Sequence, residues 1–197
     1  MRGSLSIESA RSLRSRLLDG EALARLAVCG AVGVLAGLLA AHARLHVGLP
    51  GHRLLFWIIP VVAARLTFRS WAGATVGSLA AALVTMTGEV RVAAGLVQLP
   101  FVALAGIALD VAVRQAERRR LAARWSIPLV GLAGLGAGLV MCAERLAAPL
   151  LQVHGLLGLS VIPARLLSYG FFGLVSGLAG AALAHAISLC SGRSKSS

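Results

Sequence analysis

Apolar positions in this chain come in long unbroken runs separated by short polar stretches, and the runs do not alternate as barrel strands do. In a bilayer only helices and closed barrels satisfy their own backbone, so runs of this kind predict membrane-spanning helices. Six are predicted: Ala22 to Ala43, Leu54 to Phe68 with Pro60 inside it, Trp71 to Gly88, Val92 to Val113, Ser126 to Ala143, and Arg165 to Leu189. The first corresponds to about 33 Å of helix, enough to cross a hydrocarbon core of about 30 Å. The fold class is therefore an all-α integral membrane protein, a compact six-transmembrane-helix bundle. It divides into an N-terminal segment 1–21, a membrane domain 22–190 and a tail 191–197.

Charge fixes the direction of the spans. With six spans and both termini cytoplasmic, 14 Lys and Arg fall inside and 5 outside. If the short second run is not a span, everything after it inverts and the count becomes 8 inside against 11 outside. The positive-inside rule selects six spans with both termini cytoplasmic. Arg65 is then about one turn from the cytoplasmic end, where it is expected to snorkel to the headgroups. Asp110 is expected to pair with Arg114 at i+4. Residues 4–18 read either as a short basic amphipathic helix or as a frayed tail.

Composition agrees with the pattern: 197 residues are 58% hydrophobic and only 13% charged, with a mean hydropathy of +0.86. No room remains for a soluble catalytic domain. The net charge of +12 sits mainly between apolar runs, so it reads as a topology signal and not as a nucleic-acid footprint. Cys29, Cys142 and Cys190 have no metal-ligand spacing and read as small apolar helix residues.

Enzyme chemistry finds no support. There is no P-loop, no HExxH and no acidic pair within the membrane. Ser176 and His185 lie nine residues apart on one helix, which does not bring hydroxyl to imidazole. His42 and His46, at i,i+4, and His52 admit a metal reading beside a simpler one as interfacial residues.

The outer side carries the candidate ligand chemistry. Its loops hold His46, His52 and Arg53, then Glu89 and Arg91, then Glu144, Arg145 and His154, with Gln98, Arg165, Trp57 and Tyr169 near the span ends. Outer arginine in excess over acid predicts an anion-reading cluster for a carboxylate or phosphate; pairing with Glu89, Glu144 and lipid phosphates is the alternative. The third loop, 144–163, is apolar, as a lid or an interfacial helix would be.

Small residues recur every four positions: Gly33, Gly37 and Ala41; Gly73, Gly77 and Ala81; Gly134 and Gly138; Gly173, Gly177 and Ala181. Such stripes let helix backbones approach closely, either within the bundle or against another membrane protein.

The six short spans, the Ala27/Ala31 pair low on the first, and the stretch Trp57-Ile58-Ile59-Pro60-Val61-Val62-Ala63-Ala64-Arg65 followed by Trp71-Ala72-Gly73-Ala74-Thr75-Val76-Gly77 resemble the substrate-binding S component of energy-coupling factor (ECF) transporters. That resemblance implies a non-enzymatic subunit of the bacterial cytoplasmic membrane. Such a subunit binds a vitamin, vitamin precursor or similar micronutrient under its outer loops. It implies partners as well: an energy-coupling transmembrane subunit driven by ATPase subunits, touched here by Ala27, Ala31, Gly33 and Gly37. The chain begins Met-Arg-Gly-Ser, without the N-terminal His of the nickel and cobalt members. A structural or accessory membrane protein, or a small secondary transporter, is the alternative.

Overall fold

A computed structural model describes residues 20–42, 50–87, 92–119, 123–151 and 162–193. They form six helices: α1 (Gly20–His42), α2 (Leu54–Phe68), α3 (Gly73–Thr87), α4 (Val92–Arg118), α5 (Ala123–Leu151) and α6 (Ile162–Arg193). Among the described residues there is no strand. Four helices are long and apolar enough to cross a membrane, the qualifying stretches being Gly20–His42, Gln98–Arg118, Trp125–Ala143 and Ile162–Ser191. The chain is thus an all-helical bundle with the character of a multi-pass membrane protein. The amphipathic segment expected at 4–18 lies outside the described residues.

The predicted α2 matches its observed bounds, and the helix runs continuously through Pro60. α3 is slightly shorter than its predicted run, whereas α4, α5 and α6 outrun theirs. α4 continues to Arg118, so half of the expected cytoplasmic loop is helix. α5 continues to Leu151, so Glu144 and Arg145 lie in a helix where a loop was expected. Charged residues end an apolar run but have adequate helix propensity, so hydropathy marks the membrane boundary and not the helix end.

The six helices close a ring in the order α1, α3, α4, α5, α6, α2 and back to α1. α2 also touches α3 and α4 and is the most enclosed element. Ile58, Val61, Val62, Ala63, Ala64 and Arg65 are all buried along it. The core gathers around Ile58, Val61, Val62, Leu109, Val113 and Val130.

Two backbone-to-backbone contacts set the shape. A Cβ on Gly33 would strike the carbonyl of Gly77, and one on Gly37 would strike that of Ala81, so α1 lies directly on α3, running parallel to it. A Cβ on Gly134 would strike the carbonyl of Gly173, and one on Gly138 that of Tyr169, so α5 and α6 run antiparallel in equal intimacy. Where lipid supplies no hydrophobic drive between helices, this close approach supplies the dispersion contacts.

These registers place the ends of α2, α4 and α6 and the starts of α1, α3 and α5 at one end of the bundle. That end carries Arg65, Arg69, Arg114, Arg118 and Arg119 and is called the basic end here. α2 and α3 have 15 residues each, about 22 Å, whereas α6 has 32, about 48 Å.

Candidate functional site

Burial of charge marks the basic end. Arg65 is 1% exposed, the largest fully buried side chain among the described residues. It does not snorkel as expected, because two acids on α4 hold its guanidinium inside the bundle. Its Nε donates to Asp110 Oδ1 at 2.9 Å, and its two Nη groups donate to the Glu117 carboxylate at 3.3 and 3.4 Å. Asp110, 4% exposed, does not pair with Arg114 as expected. Its Oδ1 also accepts from Ala74 N at 3.2 Å, and its Oδ2 accepts from Thr75 N at 2.8 Å and Thr75 Oγ1 at 2.7 Å.

Ala74 and Thr75 open α3, where backbone N–H groups have no intrahelical acceptor. Asp110 thus caps α3 from α4, and its negative charge lies at the positive end of the α3 dipole. One carboxylate ties the C-terminal turn of α2 to the N-terminal turn of α3. Gly106 on α4 lies so close to Thr75 that a Cβ would meet its Cα at 2.6 Å, which is what lets Asp110 reach. Arg114 is used differently. It donates to the Trp71 carbonyl from Nε at 3.1 Å and Nη2 at 2.5 Å, and its guanidinium lies 5.6 Å from the centre of the Trp71 ring. Cation and ring attract through the ring's quadrupole.

Beyond the network, residues of α2, α4, α5 and α6 line an open cavity of about 590 Å³. Its floor is apolar: Leu66, Val113, Ala116, Ile127, Val130, Ala181 and Ala184. Its polar wall is Arg69, Glu117, Ser126, His185 and Ser188. Arg69 follows α2 directly and holds the left-handed conformation, φ 48° and ψ 36°. A helix ends readily this way with glycine; an arginine there is uncommon.

At the opposite end the Pro50–Gly51 turn packs on the start of α6. Gly51, at φ +88°, packs on Tyr169, and Ser168 Oγ donates to the Pro50 carbonyl. His52 and Arg53 lead into α2, with Arg53 exposed and His52 half-buried. Trp57 and Tyr169 pack against the core. Arg165 and Gln98 are half-buried on α6 and α4. His46, Glu89, Arg91 and His154 lie outside the described residues, and the side chains of Glu144 and Arg145 are likewise not described. His42 ends α1 with its Nδ1 2.8 Å from the Leu38 carbonyl oxygen, a helix-terminal contact. Among the described residues no three His, Cys, Asp or Glu side chains group to hold a metal. Ser176 is buried and donates to Phe172 O at 2.5 Å, satisfied within its own helix.

Of the residues assigned to a partner, Ala27 and Ala31 are exposed on α1. Gly33 and Gly37 are buried against α3, so they serve packing inside the bundle and not an external face. Sequence reasoning missed the Arg65, Asp110, Glu117 and Thr75 network. The signal was present: Arg65 and Asp110 are opposite charges inside predicted spans, near the same predicted membrane face.

Comparison with known protein families, with curated proteins and with solved structures returns no match.

Proposed function

We propose that this chain is a membrane-embedded, high-affinity substrate-binding subunit of an ECF-type importer for a vitamin, vitamin precursor or similar micronutrient. It spans the bacterial cytoplasmic membrane six times, with both termini and the basic end inside. The observation that carries the reading is the two-faced character of α1. One face, with Cys29, Gly33, Ala36, Gly37 and Ala40, is buried in the bundle. The other leaves Ala27 and Ala31 exposed near the basic end, with Leu35, Leu38 and Leu39 exposed beyond them. A small-residue face outside a completed ring is suited to a second membrane protein that approaches closely.

The ligand in this reading binds at the end opposite the basic end, under the connections between α1 and α2, α3 and α4, and α5 and α6. The packing of Pro50–Gly51 on Ser168–Tyr169 closes one side of that region. Arg53 and Arg165, with Arg91 and Arg145, favour a carboxylate or phosphate. A secondary transporter would place ionisable groups near the midplane. Here the buried charges lie toward one end, and Asp110 is fully occupied in capping α3.

The test is co-purification with an energy-coupling transmembrane subunit and its ATPases. Ala31→Leu is expected to abolish capture while thermal shifts with water-soluble vitamins persist. Unchanged capture would assign Ala27 and Ala31 to lipid contact and favour an accessory membrane protein.

A further inference from the structure

We propose that the basic-end cavity is a binding site for the phosphate headgroup of an anionic membrane lipid, independent of any ligand at the opposite end. The cavity has the size of small-molecule sites, which run about 300–1,000 Å³, and it divides into an apolar floor and a polar mouth. A phosphate on an apolar body matches that division.

Charge selects the sign. Glu117, the one acid in the wall, has its carboxylate engaged by both Nη groups of Arg65. Arg69 has no ion pair among the described residues, and its left-handed backbone sets it at the mouth, where it lines the cavity. Backbone held in a sparsely populated region beside a cavity is a recurrent mark of a ligand site. The ring of His185, also in the wall, can donate a second hydrogen bond, while the Ser188 hydroxyl donates to the His185 carbonyl at 2.7 Å.

Depth selects the lipid. Trp125, which precedes the wall residue Ser126, is 61% exposed, and Trp71 at the same end is 41% exposed. Exposed tryptophans collect at headgroup level, so the polar mouth lies where lipid phosphates lie. Basic pockets between spanning helices hold such headgroups.

Native mass spectrometry tests this on the full chain, delipidated and then given phosphatidylglycerol or phosphatidylcholine. Wild type is expected to retain phosphatidylglycerol in preference. Arg69→Gln should weaken retention about fivefold, the effect of one arginine near a lipid surface. Ala184→Phe, which fills the floor, should abolish it. Arg118→Gln and Arg119→Gln, exposed at the same end but outside the cavity, should leave retention unchanged, and a thermal melt monitors folding of each variant. Equal losses in the Arg118 or Arg119 variants would mean diffuse surface attraction and overturn the site. So would equal retention of phosphatidylcholine, or no retained lipid. Displacement of the lipid by inorganic phosphate alone would reassign the cavity to a soluble phosphate compound.

Discussion

Asp110→Asn is the substitution by which the structure is most exposed to refutation. It keeps the side-chain shape and removes one charge. In the native bundle the carboxylate accepts four hydrogen bonds, from Arg65 Nε, Ala74 N, Thr75 N and Thr75 Oγ1. After the change, Arg65 stays 1% exposed with only Glu117 beside it, at 3.3 Å. Breaking a buried pair from one side costs about 3–5 kcal/mol, because the remaining charge is left uncompensated. The α3 dipole loses its negative cap as well, about 0.3–1 kcal/mol. Glu117 recovers part of the loss, so the expected cost is about 3 kcal/mol, roughly a hundredfold in the unfolding equilibrium. Reversible unfolding of the purified protein in mixed micelles, followed by Trp fluorescence, measures it. The second arm is Arg65→Met alone and combined with Asp110→Asn. Removing both charges removes the stranded one, so the double variant should be more stable than the sum of the singles by more than 1 kcal/mol. A cost below about 1 kcal/mol for Asp110→Asn, or strict additivity, would mean that the charges are hydrated and the buried network does not exist as described.

The remaining expectations are briefer. Gly134→Ala should destabilise the α5–α6 contact by about 1–3 kcal/mol, since the new methyl meets the Gly173 carbonyl; Gly136→Ala, with open space around it, should cost nothing in the same unfolding assay. Gly33→Ala should behave like Gly134→Ala at the α1–α3 contact and weaken the bundle by a similar amount. In a background without native cysteines, Gln115→Cys and Arg53→Cys, both exposed, should label from opposite sides of the membrane, Gln115 from the cytoplasm. Labelling of both from one side would remove α2 or α3 from the set of spans. Trp71→Leu should weaken the hold on Arg114 by about 0.5–2 kcal/mol in the unfolding assay, through the lost ring face alone, since the Trp71 carbonyl remains.

What the sequence discloses and what it conceals divide along a physical line. Helix existence follows from the uninterrupted apolar runs, because lipid leaves the backbone no other arrangement. The Gly33 and Gly134 stripes correctly announce close approach, but a stripe does not name its partner. Gly33 and Gly37 were expected to meet another subunit, and they meet α3. Arg65 and Asp110 show the same limit. The i+4 spacing makes Arg114 the nearest candidate for Asp110, while the actual partner is 45 residues away and on another helix. The packing of α2 against α4 decides between snorkelling and pairing, and hydropathy does not record it. His185 and Arg69, unremarkable in sequence, share a cavity wall for the same reason.

Three features of the basic end share the short α2–α3 hairpin. α2 and α3 are about 22 Å long, less than the hydrocarbon core of about 30 Å, while their neighbours are longer than it. Their joining turn still reaches the surface, with Thr67, Phe68, Arg69 and Trp71 exposed. Arg65, one turn earlier, is buried between helices, and two acids from α4 neutralise it. Asp110 also accepts from the first-turn amides of α3. The cavity opens beside Leu66 and Arg69. Lengthening α2 by one turn after Phe68 should therefore change all three together. Arg69 would leave the left-handed turn, the cavity would shrink, and Asp110 would lose its reach to Ala74 and Thr75. A buried ion pair kept purely for its own sake would survive that insertion, whereas one imposed by a short hairpin would not.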